Sequence, residues 1–155
     1  MRQKSPDSID YLFVQIIRLF HQRSHALFSE IGIYPGQPPV LFQLWKKDGR
    51  TQKELAAELL VKPATLTLIL QRMERDGLIE RHPDPADQRV SRVYLTEKGK
   101  KLREPVLRAI RKREMEILEG FTPEEKLLLR RLLSRVRDNL AKRCGIGEHP
   151  WGDIV

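Results

Sequence analysis

Apolar residues recur at helical spacing near both ends of the chain, and polar or charged residues fill most of the positions between them. The first such segment follows Ser8 and Asp10, either of which can cap a helix, and its stripe predicts a helix that runs to about Glu30. Because the stripe is wide, we expect this helix to need more than one packing partner. A second helix is predicted to begin at Pro38 and to bury apolar residues as far as Trp45.

Two shorter helices, joined by a tight turn, are predicted in the middle of the chain. The first begins at Thr51, because the Thr51 hydroxyl and the Glu54 carboxylate can each accept a hydrogen bond from a backbone N–H of the first turn. The second begins at Pro63, whose missing N–H costs nothing in the first turn, and ends at Gly77. The positions assigned to the core are Leu55, Ala56, Leu59 and, at the edge, Leu60 in the first helix, and Leu66, Ile69, Leu70 and Met73 in the second.

Alternation of apolar and polar positions replaces helical spacing after these helices and predicts a two-stranded ribbon. The first strand begins at Leu78 and reaches Arg81, and the alternation resumes with Val93 on the return strand. The segment 82–89 between them contains two prolines, which interrupt sheet hydrogen bonding and favour a protruding loop. Two short helices around a tight turn, followed by a ribbon, make a winged helix-turn-helix in which the ribbon is the wing.

Helical spacing returns after the wing and continues almost to the end of the chain. Thr96 is expected to cap a helix of about 24 residues, which Pro105 should bend or interrupt because proline cannot donate a backbone hydrogen bond to residue 101. A second capping box, formed by Thr122 and Glu125, begins the last helix. The apolar stripe of this last helix comprises Leu129, Leu132, Leu133, Val136 and Leu140.

Composition favours a polyanionic partner and argues against several other classes of protein. The net charge is +8, and the stretch 45–103 carries +5 of it, with fourteen Lys or Arg residues against nine Asp or Glu residues. The single cysteine, Cys144, excludes an intramolecular disulfide and a cysteine-rich zinc site. No run of about 18 apolar residues is present to span a membrane. We therefore expect a cytoplasmic protein with no membrane partner.

Nothing in the sequence indicates catalysis. The chain contains no nucleophile–base pair, glycine-rich phosphate loop or paired-carboxylate motif, so we expect neither enzymatic activity nor a cofactor. His21 and His25 lie four residues apart on the first helix, but no third or fourth ligand stands at a suitable spacing. We expect no metal site and interpret both histidines as structural or solvated.

Four motifs follow one another across the centre of the chain: the capping-box helix, the run MERDGLI at 73–79, the pattern Asp84-x-x-Asp87-x-Arg89 in the wing, and the pattern Leu95-Thr96-x-x-Gly99 after it. In this order the chain resembles the MarR (multiple antibiotic resistance regulator) family of bacterial transcription factors. The resemblance implies a mainly α fold with a small β wing and a homodimer built on the first and last helices. It also implies that a small aromatic or anionic molecule releases the DNA, as in many members.

Taken together, these expectations describe the whole chain, 1–155, as one domain. A winged helix-turn-helix DNA-binding lobe occupies about 37–99, dimerisation helices occupy about 8–34 and 100–143, and 144–155 is an irregular tail. The expected function is that of a homodimeric repressor, released from a palindromic operator by a small-molecule effector. An effector-independent or architectural DNA-binding protein is the first alternative, and a protein-interaction module is the second.

The outer face of the second short helix is the candidate for sequence recognition, because a recognition helix contacts bases mainly with its N-terminal half. Thr65 and Thr67 can bond bases or phosphates. Leu68 can contact a thymine methyl group, and Gln71 can pair with adenine. The alternative is that this face is merely solvated. The residues assigned to phosphates are Lys53, Lys62, Arg72, Arg81 and Arg92.

Arg89 at the tip of the wing is the candidate for the minor groove, where narrow A·T tracts concentrate negative potential. Asp87 would be repelled by phosphate and is expected instead to brace the wing by pairing with an arginine.

Candidate residues for an effector site combine aromatic rings with an anchor for an acid. Either of two residues on the first helix could supply the anchor, while core packing is the alternative role for the rings. The four candidates are Arg18, His21, Phe42 and Trp45.

Overall fold

The computed structural model describes residues 8–145 and confirms the expected fold class, a mainly helical chain with a small β wing. In chain order the elements are α1 (Ile9–Ser29), α2 (Gln37–Lys46), β1 (Arg50–Thr51), α3 (Gln52–Leu59), α4 (Pro63–Arg75), β2 (Ile79–Pro83), β3 (Ser91–Leu95), α5 (Glu97–Lys101), α6 (Arg103–Ile117) and α7 (Pro123–Cys144). The predicted tail begins one residue too early, because Cys144 still belongs to α7. The rest of that tail, from residue 146 onward, lies outside the described residues.

The hydrophobic core lies in the lobe, which we define as α2 to α5 with the sheet. Its fully buried apolar side chains include Ile33, Val40, Leu41, Leu44, Leu55, Leu66, Leu70, Met73, Leu78, Ile79 and Val93. Phe28 at the end of α1 and Val106 and Ile110 in the first half of α6 belong to the same cluster. The neighbouring ends of these two helices are therefore anchored in the lobe.

One predicted core position is wrong. Leu60 is 53% exposed and adopts a left-handed backbone conformation with φ of 52°, since it forms the C-cap of α3. Glycine is the usual residue in this conformation, which costs an L-residue roughly 1–2 kcal/mol. The apolar pattern of α3 therefore ends at Leu59, one residue earlier than predicted.

The sheet has three antiparallel strands in the order β1-β3-β2, so it contains one strand more than predicted. Strand β1 is only two residues long and pairs Arg50 with Val93, which leaves no alternation for a sequence pattern to detect. Strand β2 also continues two residues beyond the predicted Arg81, where Pro83 pairs with Ser91. Proline is tolerated there because β2 is an edge strand and Pro83 is its last residue.

The predicted long helix after the wing is two helices. Thr96 caps α5 as expected, with its hydroxyl accepting a hydrogen bond from the Gly99 N–H at 3.1 Å. The helix then breaks at Leu102, and Pro105 stands in the first turn of α6. Because proline has no N–H, the carbonyl of Lys101 loses its helical partner at this point, which explains the break.

We define the arm as residues 9–23 of α1, 111–117 of α6, and α7. Both capping boxes predicted from the sequence are present, and the Thr122 and Glu125 box begins α7. Helix α7 nevertheless buries none of its residues within this chain. Its exposed large apolar side chains are Leu127, Leu128, Leu132, Leu133 and Leu140, and α1 exposes Ile9, Leu12, Ile16, Leu19 and Phe20.

Candidate DNA-binding surface

Helix α4 separates a buried face from an exposed one, as its sequence pattern predicts. Leu66, Leu70 and Met73 are fully buried, which fixes the helix against the lobe. The opposite side exposes Thr65, Gln71 and Arg72, and Leu68 is 58% exposed. An apolar side chain held in solvent at the centre of a polar face gains nothing from burial within this chain. The face is therefore available to a partner molecule.

Thr67 differs from its predicted role, because its hydroxyl is already used inside the lobe. The hydroxyl donates to the Pro63 carbonyl at 2.9 Å and accepts from Gln52 Nε2 at 2.6 Å. It therefore has no proton left for a base or a phosphate. The hydrogen bond from Gln52 joins the start of α3 to the middle of α4. The sequence predicted a possible DNA contact at Thr67 and assigned no role to Gln52.

The cations around the starts of α3 and α4 are placed for an anionic partner. Lys53 is exposed in the first turn of α3, and Lys62 is exposed at the N-cap of α4, where it makes no side-chain capping bond. Lys47 was not predicted as a site residue. The pKa of Glu54 is lowered mainly by the hydrogen bond from the Thr51 backbone N–H. The positive charges of Arg92 and Lys47 lower it further, so Lys47 lies near this end of α3.

The wing is fixed to the lobe by Asp84, which is only 5% exposed. Its carboxylate accepts hydrogen bonds from the Ala86 N–H at 2.7 Å and from Nε of Arg92. These bonds, the Ala86 bond first, lower the pKa of Asp84. Arg92 also donates to the Gly49 carbonyl at 2.8 Å, which ties the wing to the turn before β1. The guanidinium predicted to contact phosphate is thus occupied within the lobe.

Asp87 does pair with an arginine, but the partner is Arg89 in the same loop. Asp87 accepts from the Arg89 N–H at 3.0 Å and from its Nε at 3.2 Å, so the pair orders the tip without reaching the lobe. The pair expected of Asp87 is thus present at the wing tip, and Asp84 adds a second one with Arg92 in β3. The Arg89 side chain remains 91% exposed despite this pair. Such exposure leaves it free to approach a second molecule.

Arg81 is less free than the sequence predicted. Its guanidinium donates to a single Glu74 carboxylate oxygen, from Nη2 at 2.6 Å and from Nε at 3.1 Å. Glu74 lies in the last turns of α4, so this ion pair joins the recognition helix to strand β2. The pair neutralises the charge that was assigned to phosphate.

Polar bonds also hold the C-terminal end of α4. The buried Gln37 donates from Nε2 to the Asp76 carboxylate at 2.9 Å, and Lys98 donates from Nζ to the Asp76 carbonyl at 2.8 Å. The Thr96 hydroxyl donates to the Gly77 carbonyl at 2.6 Å. The end of the helix is therefore fixed both to the start of α2 and to the start of α5.

The four residues predicted for an effector site divide into two groups. Phe42 and Trp45 pack edge to face at 5.4 Å against the core, and the Trp45 indole N–H donates to the Gly99 carbonyl at 3.0 Å. This is the core-packing alternative. Arg18 and His21 are exposed on α1.

A different cation lies where the arm meets the lobe. The guanidinium carbon of Arg113 lies 4.2 Å from the ring centroid of Phe20, and Nη1 donates to the Ser24 hydroxyl at 2.7 Å. Burial lowers the pKa of Arg113, and no carboxylate of residues 8–145 pairs with it. In contrast, the nearby Arg23 forms a two-bond ion pair with Glu116. No signal in the sequence distinguishes Arg113 from its neighbours.

Within residues 8–145, no three His, Cys, Asp or Glu side chains come together as a metal site. None of the helices in that part of the chain is long and apolar enough to cross a membrane.

Comparison with known proteins identifies the family. The model of the MarR family matches residues 33–91. The HTH-type transcriptional regulator YybA of Bacillus subtilis is 32% identical over 128 residues, which cover 82% of this chain and 85% of YybA. This chain belongs to the MarR family. The HTH-type transcriptional repressor IacR of Pseudomonas putida is 28% identical over 134 residues, which cover 84% of this chain and 80% of IacR.

Solved structures agree with this assignment. The transcriptional regulator SlyA is 26% identical, has a TM-score of 0.73, and aligns over 88% of this chain and 96% of that chain. A probable transcriptional regulator from Pseudomonas aeruginosa is 31% identical with a TM-score of 0.68, over 84% and 97% of the two chains. MarR-family proteins are transcriptional regulators rather than enzymes, so the chain is a DNA-binding transcription regulator.

Proposed function

We propose that the protein is a homodimeric repressor that binds a palindromic operator with its two lobes. Binding of a small-molecule effector then causes it to release the operator. The observation that carries the proposal is the exposed face of α4, centred on Leu68, beside a wing whose tip presents Arg89. A helix of this kind enters the major groove, and the wing-tip cation enters the adjacent minor groove. That IacR is named a repressor supports the direction of control.

The exposed apolar side chains of the arm support the proposal that the protein is a homodimer. Leu12 and Ile16 of α1 and Leu132 and Leu140 of α7 are exposed, and a soluble chain seldom leaves so many apolar side chains in water. A cleft of about 720 Å³ between α6 and α7 adds to this apolar surface. Its apolar lining comprises Met115, Leu118, Leu129 and Leu133. A second copy of the arm is the partner that would cover these surfaces, and its two-fold symmetry would require a palindromic operator.

Within a lobe, the free residues divide into two groups. Thr65, Leu68 and Gln71 are available to base edges, while Lys53, Lys62 and Arg72 are available to phosphates. This division predicts that changes in the first group alter sequence preference. Changes in the second group should weaken all sequences about equally.

The surroundings of Arg113 support the proposal that a small-molecule effector binds there. Leaving a partly buried cation without a carboxylate costs free energy, and an aromatic acid could supply both the missing charge and a ring beside Phe20. Arg113 lies between Phe28, in the lobe core, and the exposed part of α1, so a ligand there would contact both parts. Arg113 therefore replaces Arg18 and His21 as the proposed anchor.

The experiment is binding-site selection with the purified chain, followed by fluorescence anisotropy on the selected duplex. We expect a palindrome with half-sites about one helical turn apart. Selection that returns no symmetric sequence would favour an architectural DNA-binding protein.

The effector is tested on the same complex. Benzoate, phenylacetate and 1-naphthoate are added in parallel with their uncharged amides, and the acids are expected to release DNA from the wild type but not from Arg113→Met. If acids and amides release the DNA equally well, Arg113 is not the anchor of the effector. If neither releases it, the regulator is effector-independent with respect to these compounds.

A further inference from the structure

Gln52 is the first residue of α3, and no DNA contact has been assigned to it so far. Its side chain is half-buried, and its amide nitrogen donates to the Thr67 hydroxyl at 2.6 Å. Thr67 in turn donates to the Pro63 carbonyl at 2.9 Å. Gln52 is therefore held in place by the recognition helix itself, through a hydroxyl whose only proton is already committed.

The amide of Gln52 keeps unused hydrogen-bonding capacity. A glutamine side chain has two N–H donors and one carbonyl oxygen, and one of these donors is directed to Thr67. Gln52 and Lys53 both border a groove of about 420 Å³ between α3 and the start of α4. Gln52, which has one amide N–H that makes no hydrogen bond to Thr67, therefore borders open space next to an exposed cation.

The position of α3 determines what this donor would meet. In a helix-turn-helix, the second helix lies in the major groove while the first crosses the DNA backbone. A donor at the first residue of α3 therefore faces the backbone rather than the base edges. Phosphate oxygens accept hydrogen bonds from glutamine side chains, and such contacts fix the register of a protein on the duplex.

We propose that Gln52 donates its free amide N–H to a DNA phosphate and, through Thr67, holds the recognition helix at a fixed position relative to that phosphate. Gln52 is then a phosphate-contacting residue and Thr67 is a positioning residue. The inference rests on the proposed function, since it requires that the α4 face is the one that binds DNA.

Gln52→Glu separates a phosphate contact from a purely structural role. Glutamate has nearly the same shape, and a link to α4 can persist if the Thr67 hydroxyl turns its single proton from the Pro63 carbonyl to the new carboxylate. A negative charge at a phosphate would, however, lower affinity by about a hundred-fold on every duplex. Ser29→Asp, a change from a neutral polar to an acidic side chain at an exposed residue outside the arm, α3, α4 and the wing, is the control and should bind as the wild type does.

A second measurement uses the neutral variant Gln52→Met with DNA in which single phosphates are replaced by neutral methylphosphonates. For the wild type, replacing the contacted phosphate should weaken binding about ten-fold or more, because a hydrogen bond to a charged group is lost. For Gln52→Met, the same replacement should cost little, since the contact is already absent. Circular dichroism melting of each variant verifies that the lobe is folded.

The outcomes are distinct. If the wild type binds no selected duplex, the proposed function itself fails. If the wild type binds and Gln52→Glu binds equally well, Gln52 is structural and only the present inference fails. If Gln52→Met changes the base preference instead of lowering affinity uniformly, Gln52 contacts a base, and the phosphate assignment is overturned.

Discussion

In the lobe, side chains from α2, α3, α4 and the sheet bury one another completely, and Leu66 and Val93 are wholly inaccessible to solvent. In the arm, α7 buries no residue at all within the chain, although it is the longest helix of the described residues. The two regions have similar densities of leucine but different partners. The lobe therefore buries its apolar side chains against its own elements and the adjoining ends of α1 and α6, whereas the arm needs surfaces that residues 8–145 of one chain do not provide.

Polar interactions differ in the same way. The lobe uses hydrogen bonds between distant segments, such as Asp84 with Arg92 and Gln37 with Asp76. Helix α7 has mainly local ones, such as its capping box and the adjacent pair of Arg137 with Asp138. The lobe is therefore specified in three dimensions by its own residues. The arm is specified as helices whose mutual packing depends on association.

The largest expected effect comes from Val136→Asp, which places a charge in the apolar stripe of α7. If that stripe is the dimer interface, the variant should sediment as a monomer or aggregate and should lose at least about a hundred-fold in operator affinity, because two linked lobes bind more tightly than one. Arg131→Asp, on the opposite side of the same helix, should remain dimeric. A wild-type chain that sediments as a stable monomer would contradict the assignment of the arm.

The next effect tests the packing of the lobe. A Cβ on Gly99 would lie 2.2 Å from the Leu78 carbonyl oxygen, so Gly99→Ala must displace backbone. We expect a loss of about 3 kcal/mol in the free energy of unfolding, measured by urea denaturation. Gly120→Ala meets no atom within 4 Å and should cost only about 1 kcal/mol, through its positive φ. If Gly99→Ala and Gly120→Ala lose equal free energy of unfolding, the backbone around Gly99 adjusts as easily as an open loop does.

A smaller effect separates binding from stability within the lobe. Arg89→Ala removes a side chain that is almost fully exposed, so the melting temperature should not change. Anisotropy should nevertheless show about a ten-fold loss of affinity, largest for operators with A·T pairs beneath the wing. Arg108→Ala is the control, because Arg108 is also an exposed arginine but lies on α6, away from the wing. Unchanged affinity of Arg89→Ala on such operators would exclude the minor-groove role.

The smallest effect depends on pH. The folded-state pKa of Asp84 is lowered from its ordinary 3.8, so the stability that its charge contributes is present above pH 3.8 and is lost as the pH falls through the folded-state value. Asp84→Asn should therefore melt below the wild type at pH 5 to 7, and the difference should shrink below pH 3.8. Asp87→Asn, at the wing tip, should show a smaller difference. If the difference in melting temperature between Asp84→Asn and the wild type stays constant down to pH 3, the charge of Asp84 does not stabilise the fold.

Features that depend on a few consecutive residues could be predicted from the sequence. The capping boxes at Thr51 and Thr122 are complete within four residues, and both are present. The inward face of α4 was likewise predictable, because burial of Leu66 and Leu70 follows directly from helical spacing. Local chemistry therefore determined where the elements begin and which sides they bury.

Features that depend on distant residues could not be predicted in this way. The bond between Arg92 and the Gly49 carbonyl joins positions 43 residues apart, and it removes a cation that composition alone would count as free. Thr67 shows the same difficulty, since nothing near it in sequence reveals its bond to Gln52. A site residue's type and exposure pattern can thus be inferred, but its commitments to other side chains require the structure.

The bonds at Asp76 and Gly77 also have a mechanical consequence. Because Gln37, Lys98 and Thr96 bond to the residues at the C-terminal end of α4, that end moves together with the start of α2 and with the start of α5. Thirteen residues of helix extend about 20 Å, so a rotation of about 5° at the fixed end displaces the opposite end by nearly 2 Å. A hydrogen bond to a base tolerates only a few tenths of an ångström. Such a tilt would also move the buried Leu66 and the bond of Thr67 to Gln52, so the end of the helix that meets the DNA can disengage only if α3 and the core around Leu66 move with it.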